Sequence, residues 1–174
     1  VVGSGNANRN RAEIQGLIGF FVNSLVMRTD FSGNPSFRQL LGRVREVALG
    51  AYAHQDLPFE QLVEELQPER SLGREPLFQV AFVVQNAPRS TLKVPGLTVE
   101  RVVVDNASSK FDLMMNVWEV GHGLTYSFEY STDLFRPETM ERMGQHFQSL
   151  LEGIVANPDQ RLSDLPLLTP RERD

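Results

Sequence analysis

The chain has 174 residues, 41% of them hydrophobic and 22% charged, which is a typical composition for one globular domain. A net charge of −5 argues against a nucleic-acid-binding surface, which would need clustered lysine and arginine. The lack of cysteine excludes disulfides, thiolate metal sites and a cysteine nucleophile, and with no apolar run long enough to span a membrane we expect a cytoplasmic protein.

The first third of the chain is predicted to form a buried strand and then a helix. Residues 17–28, "LIGFFVNSLVMR", are rich in β-branched and aromatic types and lie between polar turns, which indicates a strand. In "DFSGNPSF", Asn34 is placed to be the N-cap of a helix, with Pro35 at its first position. Apolar residues then recur at helical spacing, and this helix should end near Ala53.

A second helix and two further strands are predicted next. Pro58 can open the helix, and Glu60 lies in its first turn, where the helix dipole favours an anion. Residues 77–86, "LFQVAFVVQN", are typical of an apolar strand, and a short strand is expected at 97–104.

The last third of the chain carries the clearest local patterns. Period-two alternation over 111–118 and 124–130 predicts an antiparallel hairpin, with "EVGHGL" as its turn. A long helix should start near Pro137 and stop at Asn157, with an extended, charged remainder after it. Strands interleaved with three main helices indicate a mixed α/β fold.

Most familiar sites are missing from the sequence. His54, His122 and His146 are scattered, and none has the spacing of a metal-ligand motif, so no metal site is predicted. The glycines of "GSGNANR" are not followed by Lys-Ser/Thr, which argues against a phosphate-binding loop. A serine hydrolase would show G-x-S-x-G, which is absent.

The segment "HQDLPFE" allows two interpretations. His54 could be a general base oriented by Asp56. Alternatively, His54 could tie down the end of the first helix while Asp56 caps the second, and we favour this structural role. Arg28 and Arg74 adjoin apolar strands, so each is either a surface cation or one partner of a buried bidentate ion pair.

Three stretches resemble the condensation domains of nonribosomal peptide synthetases. "IGFFVNSLVMR" is similar to that family's IGxFVNT motif, with Ser24 in place of threonine. "HQDLPFE" matches its His-Gln-Asp-x-Pro-Phe-Glu motif, which includes Pro58. "RSLGREPLF" resembles R-D-x-S-R-x-P-L and keeps Arg70 and Arg74, although Ser71 and Gly73 depart from the pattern.

The resemblance implies an α/β lobe similar to chloramphenicol acetyltransferase. The family catalyses amide formation with a His-His-x-x-x-Asp-Gly motif in its N-terminal lobe, and no "HH" occurs here. Residues 1–165 therefore resemble the C-terminal lobe alone, cut from a longer chain and inactive by itself. Residues 166–174, including "LTPRERD", resemble the start of a linker toward an adenylation domain.

The resemblance also implies roles for single residues. The family's active site is a tunnel between the two lobes, and Asn23 and Ser24 would lie on its wall, with the Asn23 amide able to donate to a substrate carbonyl. Arg28 would be an anchor, and the HQD segment would support the tunnel. Elements between Val94 and Asp112 would cross to the other lobe and leave apolar surface exposed here.

The implied partners are the N-terminal lobe, donor and acceptor peptidyl carrier domains, and an adjacent adenylation domain. No cofactor is expected to bind directly, since the carrier domains bring phosphopantetheine-tethered substrates. Two other functions remain open: a non-catalytic carrier-docking or scaffold module, and epimerisation or heterocyclisation on the same fold, which the motifs fit less well.

Overall fold

A mixed five-stranded sheet is the scaffold of the molecule. The structure, a computed structural model, describes residues 1–69, 74–86, 96–99, 102 and 107–173. The strands are β1 (Val2–Asn6), β2 (Asn23–Met27), β3 (Val80–Val84), β4 (Leu113–Val120) and β5 (Gly123–Tyr130), in the order β2-β1-β3-β4-β5. β1 pairs antiparallel with β2 and β4 with β5, whereas β3 runs parallel to both β1 and β4. The predicted mixed α/β class is confirmed.

Three main helices accompany the sheet, as predicted, together with shorter ones. The helices are α1 (Ala12–Gln15), α2 (Phe37–Ala53), α3 (Phe59–Leu66), α4 (Pro137–Ala156) and α5 (Pro170–Arg173), and a 3-10 turn covers Leu162–Asp164. None of the helices in the described part of the chain is long and apolar enough to cross a membrane.

The hairpin and the long helix form where the sequence predicted them. The hairpin turn is tighter than expected, because Val120 pairs with Gly123 and only two residues connect the strands. Gly121 takes a positive φ of 61°, which glycine adopts without strain and which suits the first position of such a turn. α4 has Pro137 in its first turn and ends at Asn157.

The predicted strand at 17–28 is half wrong. Only Asn23–Met27 pairs, with β1 as its partner, and residues 17–22 are not in a strand. The apolar side chains of Leu17, Ile18, Phe20 and Val22 are exposed. Composition predicts a strand over the whole run, but strand formation also needs a neighbour that accepts and donates the ladder hydrogen bonds.

The predicted start of α2 is also wrong. Asn34 lies in the left-handed region (φ 45°) and exchanges side-chain hydrogen bonds with Ser163. The N-cap is Ser36, whose Oγ accepts from the Gln39 N–H while the Gln39 side chain accepts from the Ser36 N–H. This reciprocal pair is a capping box, which satisfies two backbone N–H groups at once.

Two smaller expectations also need correction. The remainder after α4 is not extended throughout, since it contains the 3-10 turn and α5. Of the strand expected at 97–104, residues 97–99 and 102 are not in a strand, and the rest lies outside the described residues.

The apolar core is built from β2, β3 and β4 and from the helices α2 and α4, together with residues just before α2 and β3. Among the described residues, seven apolar side chains are buried: Leu25, Pro35, Leu40, Phe78, Ala81, Val117 and Met140. β1 and β3 are paired only at Gly3 and Ala81, and the missing side chain of Gly3 leaves room for the Phe78 ring. Beyond this single pair the two strands diverge, which opens the sheet next to Ser24 and Gly5.

Candidate functional site

One asparagine side chain joins the end of β2 to the HQD turn between α2 and α3. The Nδ2 atom of Asn23 donates to the carbonyls of Gln55 at 2.9 Å and Leu57 at 2.7 Å. Its Oδ1 accepts from the Phe59 N–H at 3.1 Å and from the Ser24 N–H at 3.0 Å. Phe59 is the first residue of α3, so Asn23 satisfies one of the free N–H groups at that helix start.

A second contact holds the same turn. Asn6 pairs with Asn23 across the β1–β2 ladder, and its Nδ2 donates to the Gln55 side chain at 2.6 Å. Two neighbouring asparagines on adjacent strands thus bind one turn from two directions. We call this arrangement of Asn6, Asn23, Gln55 and Leu57 the turn clamp.

Contacts between aromatic rings connect the turn clamp to the third sequence motif, "RSLGREPLF". Phe59 from "HQDLPFE" meets Phe78 from "RSLGREPLF" edge to face, with ring centroids 5.6 Å apart. Phe78 also meets Phe111 at 5.4 Å. Such ring pairs add stabilisation beyond the area they bury. The three motifs, distant in sequence, therefore meet at one corner of the fold.

A cleft of about 430 Å³ opens beside this corner. Asn23, Ser24, Asp56 and Pro58 all lie on its lining, so the structure brings together four of the residues that the sequence singled out. Its other polar lining residues are Asn8, Glu60, Glu75 and Lys110, and most of the rest are aromatic. The cleft therefore combines amide, hydroxyl, carboxylate and ammonium groups with aromatic rings, and offers hydrogen-bonding groups to a polar ligand.

Ser24 stands between this cleft and a second one. A neighbouring cleft of about 360 Å³, where β1 and β3 diverge, shares Val22, Ser24, Lys110 and Phe111 with the first. The Ser24 backbone N–H is bonded to Asn23, and no hydrogen bond of the Ser24 hydroxyl occurs within the described chain. Its hydroxyl can therefore serve either cleft as a donor or an acceptor.

The HQD residues divide into engaged and exposed ones. The prediction that Asp56 caps α3 is wrong, because the N-cap is Pro58 and the backbone N–H of Phe59 is bonded by Asn23 instead. His54 does end α2, with its N–H bonded to the carbonyl of Ala51. The side chains of His54 and Asp56 are both exposed, and within the described residues neither makes a side-chain hydrogen bond.

The arginines singled out from the sequence lie away from the turn clamp. Arg28 and Arg74 are exposed and form no ion pair with the described residues, so both are surface cations rather than members of buried pairs. Arg70 lies outside the described residues.

The histidines do not form a metal site in the described part of the chain. No group of three or more histidine, cysteine or carboxylate side chains there could hold an ion. His146 lies on α4, 2.9 Å from the carboxylate of Glu172 in α5. Hydrogen bonds from the Thr169 side chain and backbone, and then from His146, lower the pKa of Glu172 to about 2.

Sequence reasoning missed several residues of the site. Asn6 and Phe78 have no pattern that would indicate a contact across 49 and 19 positions with Gln55 and Phe59. Lys110 precedes a predicted strand and looks like an ordinary surface cation. Arg9 lies in a polar loop without periodicity.

Comparison with known proteins decides the family. A family model described as "Condensation domain" matches residues 1–174. The chain belongs to the condensation-domain family. It is similar to one of the proteins that make up the linear gramicidin synthase of Brevibacillus parabrevis, with 54% identity over 175 residues that cover 99% of this chain and 3% of that relative. The chain thus spans only a small part of the curated relatives that it matches.

Two solved structures share the fold of this condensation-family chain. One is a complex of the X-domain and OxyB from teicoplanin biosynthesis, with a TM-score of 0.84 and 28% identity over 97% of this chain and 38% of that one. The other is holo-AB3403, a four-domain nonribosomal peptide synthetase bound to AMP and glycine, with a TM-score of 0.86. It is 21% identical, over 99% of this chain and 14% of that one, and supports the fold alone.

Proposed function

We propose that residues 1–165 are the C-terminal lobe of a peptide-bond-forming condensation domain, and that residues 166–174 begin a linker toward an adenylation domain. The lobe would act in the cytoplasm on substrates tethered to donor and acceptor carrier domains. By itself it would be inactive, because the family's His-His-x-x-x-Asp-Gly motif is not in this sequence.

The position of the exposed apolar residues points to where the second lobe would pack. Leu17, Ile18, Phe20 and Val22 are exposed within one segment beside the cleft, which we call the apolar loop (residues 17–22). Leu97, Val99 and Val102 are also exposed, as predicted for the segment that crosses between lobes. Exposed apolar patches of this kind mark interaction surfaces.

The meeting of the three motifs at the cleft carries the proposal. In the reaction, the acceptor amine attacks the donor thioester carbonyl, a C–N bond forms, the C–S bond breaks and the phosphopantetheine thiol leaves. The described lining of the cleft contains no histidine, so the proton of the amine would go to the histidine of the other lobe. Ser24, and Asn23 through the turn clamp, would form the wall along which the substrates lie.

The test is an assay of condensation between two carrier-tethered aminoacyl substrates. The 174-residue chain alone should form no peptide bond, and the intact polypeptide that also carries a His-His-x-x-x-Asp-Gly half should form it. Product from the chain alone at the rate of the intact protein would contradict the proposal.

A second candidate is a docking module without chemistry. The observation that favours it is the likeness to an X-domain that is found in complex with OxyB, at 28% identity. The coding sequence upstream of Val1 discriminates the two: a His-His-x-x-x-Asp-Gly stretch about one lobe earlier supports the enzyme, and its absence supports the module.

A further inference from the structure

We infer that Arg9 is a positioning residue that holds the apolar loop in the conformation in which it meets the other lobe. This inference rests on the proposed function. Arg9 Nη1 donates to the carbonyls of Ile14 at 2.6 Å and Leu17 at 2.8 Å. Longer contacts of 3.4 Å reach the carbonyls of Gln15 and Gly19.

The ring of Phe21 completes the site around the guanidinium. The Arg9 Cζ atom lies 4.3 Å from the centroid of that ring, which is the geometry of a cation–π contact. A guanidinium has five N–H donors in a rigid plane and can bind several carbonyls while it stacks on an aromatic face. A lysine ammonium carries the charge without this planar arrangement.

The loop has little else to define its shape. α1 is four residues long and has no buried side chain, and a helix this short is not stable by itself. Residues 15–20 are all exposed, and this segment is not part of the sheet. The described backbone bonds near the loop join Ile14 to Arg11 and Leu17 to Ile14. The convergence of carbonyls on Arg9 is therefore the main constraint on the loop.

The loop and the cleft share residues, so the effect of Arg9 should reach the reaction. Phe20, Phe21 and Val22 line the 430 Å³ cleft, and Phe21 is the residue on which Arg9 stacks. Arg9 itself is not on that lining. It would act through the loop, on the fit between the lobes and on the cleft, and would not touch substrate.

The experiment uses the intact protein with Arg9→Gln, Arg9→Lys and the control Arg11→Gln. Arg11 is exposed, stands two positions away and makes no side-chain hydrogen bond with the described residues. Hydrogen exchange of the Leu17 amide, which donates to the Ile14 carbonyl that Arg9 also binds, and the kcat and KM of condensation would be measured. Exchange of the sheet amides reports whether each variant is folded.

Arg9→Gln should speed exchange of the Leu17 amide about 10-fold, as expected for loss of hydrogen bonds from a charged donor, and should lower kcat with little change in KM. Arg9→Lys should fall between Arg9→Gln and the wild type, and Arg11→Gln should match the wild type. Unchanged exchange in Arg9→Gln overturns the inference, and so does faster exchange with unchanged kcat. A wild-type protein that forms no peptide bond overturns the proposed function instead, and exchange then still decides whether Arg9 holds the loop.

Discussion

The two halves of the apolar run at residues 17–27 differ in their burial and in their hydrogen bonding. Residues 23–27 form β2, where Leu25 is 7% exposed and Asn23 makes four hydrogen bonds. The apolar loop directly before them leaves the Phe20 side chain 91% exposed and has no strand partner. Both halves are rich in apolar residues, so the presence of apolar residues alone does not tell which half is buried within this chain.

The difference between the halves follows from where their partners lie. β2 has β1 beside it and the HQD turn at its end, both within the chain. In the described structure, Arg9 binds a backbone carbonyl of the apolar loop, and the exposed apolar side chains of the loop are not packed against other residues. Substitutions around β2 should therefore lower stability according to how many of these contacts they remove.

The largest effect is expected at Gly3 in β1, the strand that pairs with residues 23–27 of β2. A Cβ at Gly3 would overlap the ring of Phe78, which is 3% exposed and packed between two other rings. Gly3→Ala should lower the free energy of unfolding by about 3 kcal/mol, the upper range for overpacking. Chemical denaturation would measure it.

Gly5→Ala in the same strand is the matched control, because nothing lies within 4 Å of a Cβ there. It should leave stability nearly unchanged. Equal losses for the two variants would show that Phe78 does not fill the space over Gly3.

Asn23→Ala should have the next largest effect. It leaves the carbonyls of Gln55 and Leu57 and the N–H of Phe59 without their partner, which should cost about 2 kcal/mol of unfolding free energy. Asn23→Asp keeps the acceptor for Phe59 but loses the two donated bonds, so it separates the contributions. A variant Asn23→Ala with full stability and lost condensation would instead mean that the Asn23 amide acts on substrate.

Asp56→Ala should have a small effect, although it removes a charge from the HQD segment. Asp56 is exposed and does not cap α3, so the change in unfolding free energy should stay within about 0.5 kcal/mol. Comparison with Asn23→Ala in the same denaturation experiment would show which residue holds the turn. A loss as large as that of Asn23→Ala would assign Asp56 to the turn clamp.

The smallest effect is expected at Glu172, near the C-terminal end of the sequence and away from residues 17–27. The pKa of Glu172 is lowered to about 2, first of all by the Thr169 side chain, from a usual value of 4.5. A lowered folded-state pKa means that its contribution is present above pH 4.5 and is lost as the pH falls through about 2. The Thr169 amide resonance should therefore titrate near pH 2, and in Thr169→Val its midpoint should move up toward 4.5. A wild-type midpoint near 4.5 would contradict the hydrogen bonds of Thr169 to Glu172.

Local rules predicted those parts of the fold that depend on nearby residues. The β4–β5 hairpin and α4 follow from alternation, a glycine turn and a proline at the helix start. The true start of α2 was missed because Asn34 is bonded to Ser163, 129 positions away. Such a contact overrides the local preference for an N-cap and leaves no trace in the nearby sequence.

The candidate site was predicted as a set of motifs but not as a geometry. The sequence singled out Asn23 and the HQD segment, and it could not show that one bonds the other, because they are 32 and 34 positions apart at the contacts. Asn6 at the end of β1 and Arg9 in the loop after it carry no pattern, since single polar side chains are usually solvated.

The central claim is that the apolar loop meets another lobe, and hydroxyl-radical labelling of Phe20 tests it most directly. The same residue would be compared in the 174-residue chain and in the intact polypeptide, with Leu124, 70% exposed at the far hairpin, as the reference. The account predicts rapid labelling of Phe20 in the chain alone and strong protection in the intact protein, with Leu124 labelled equally in both. Equal labelling of Phe20 in the two proteins would contradict it.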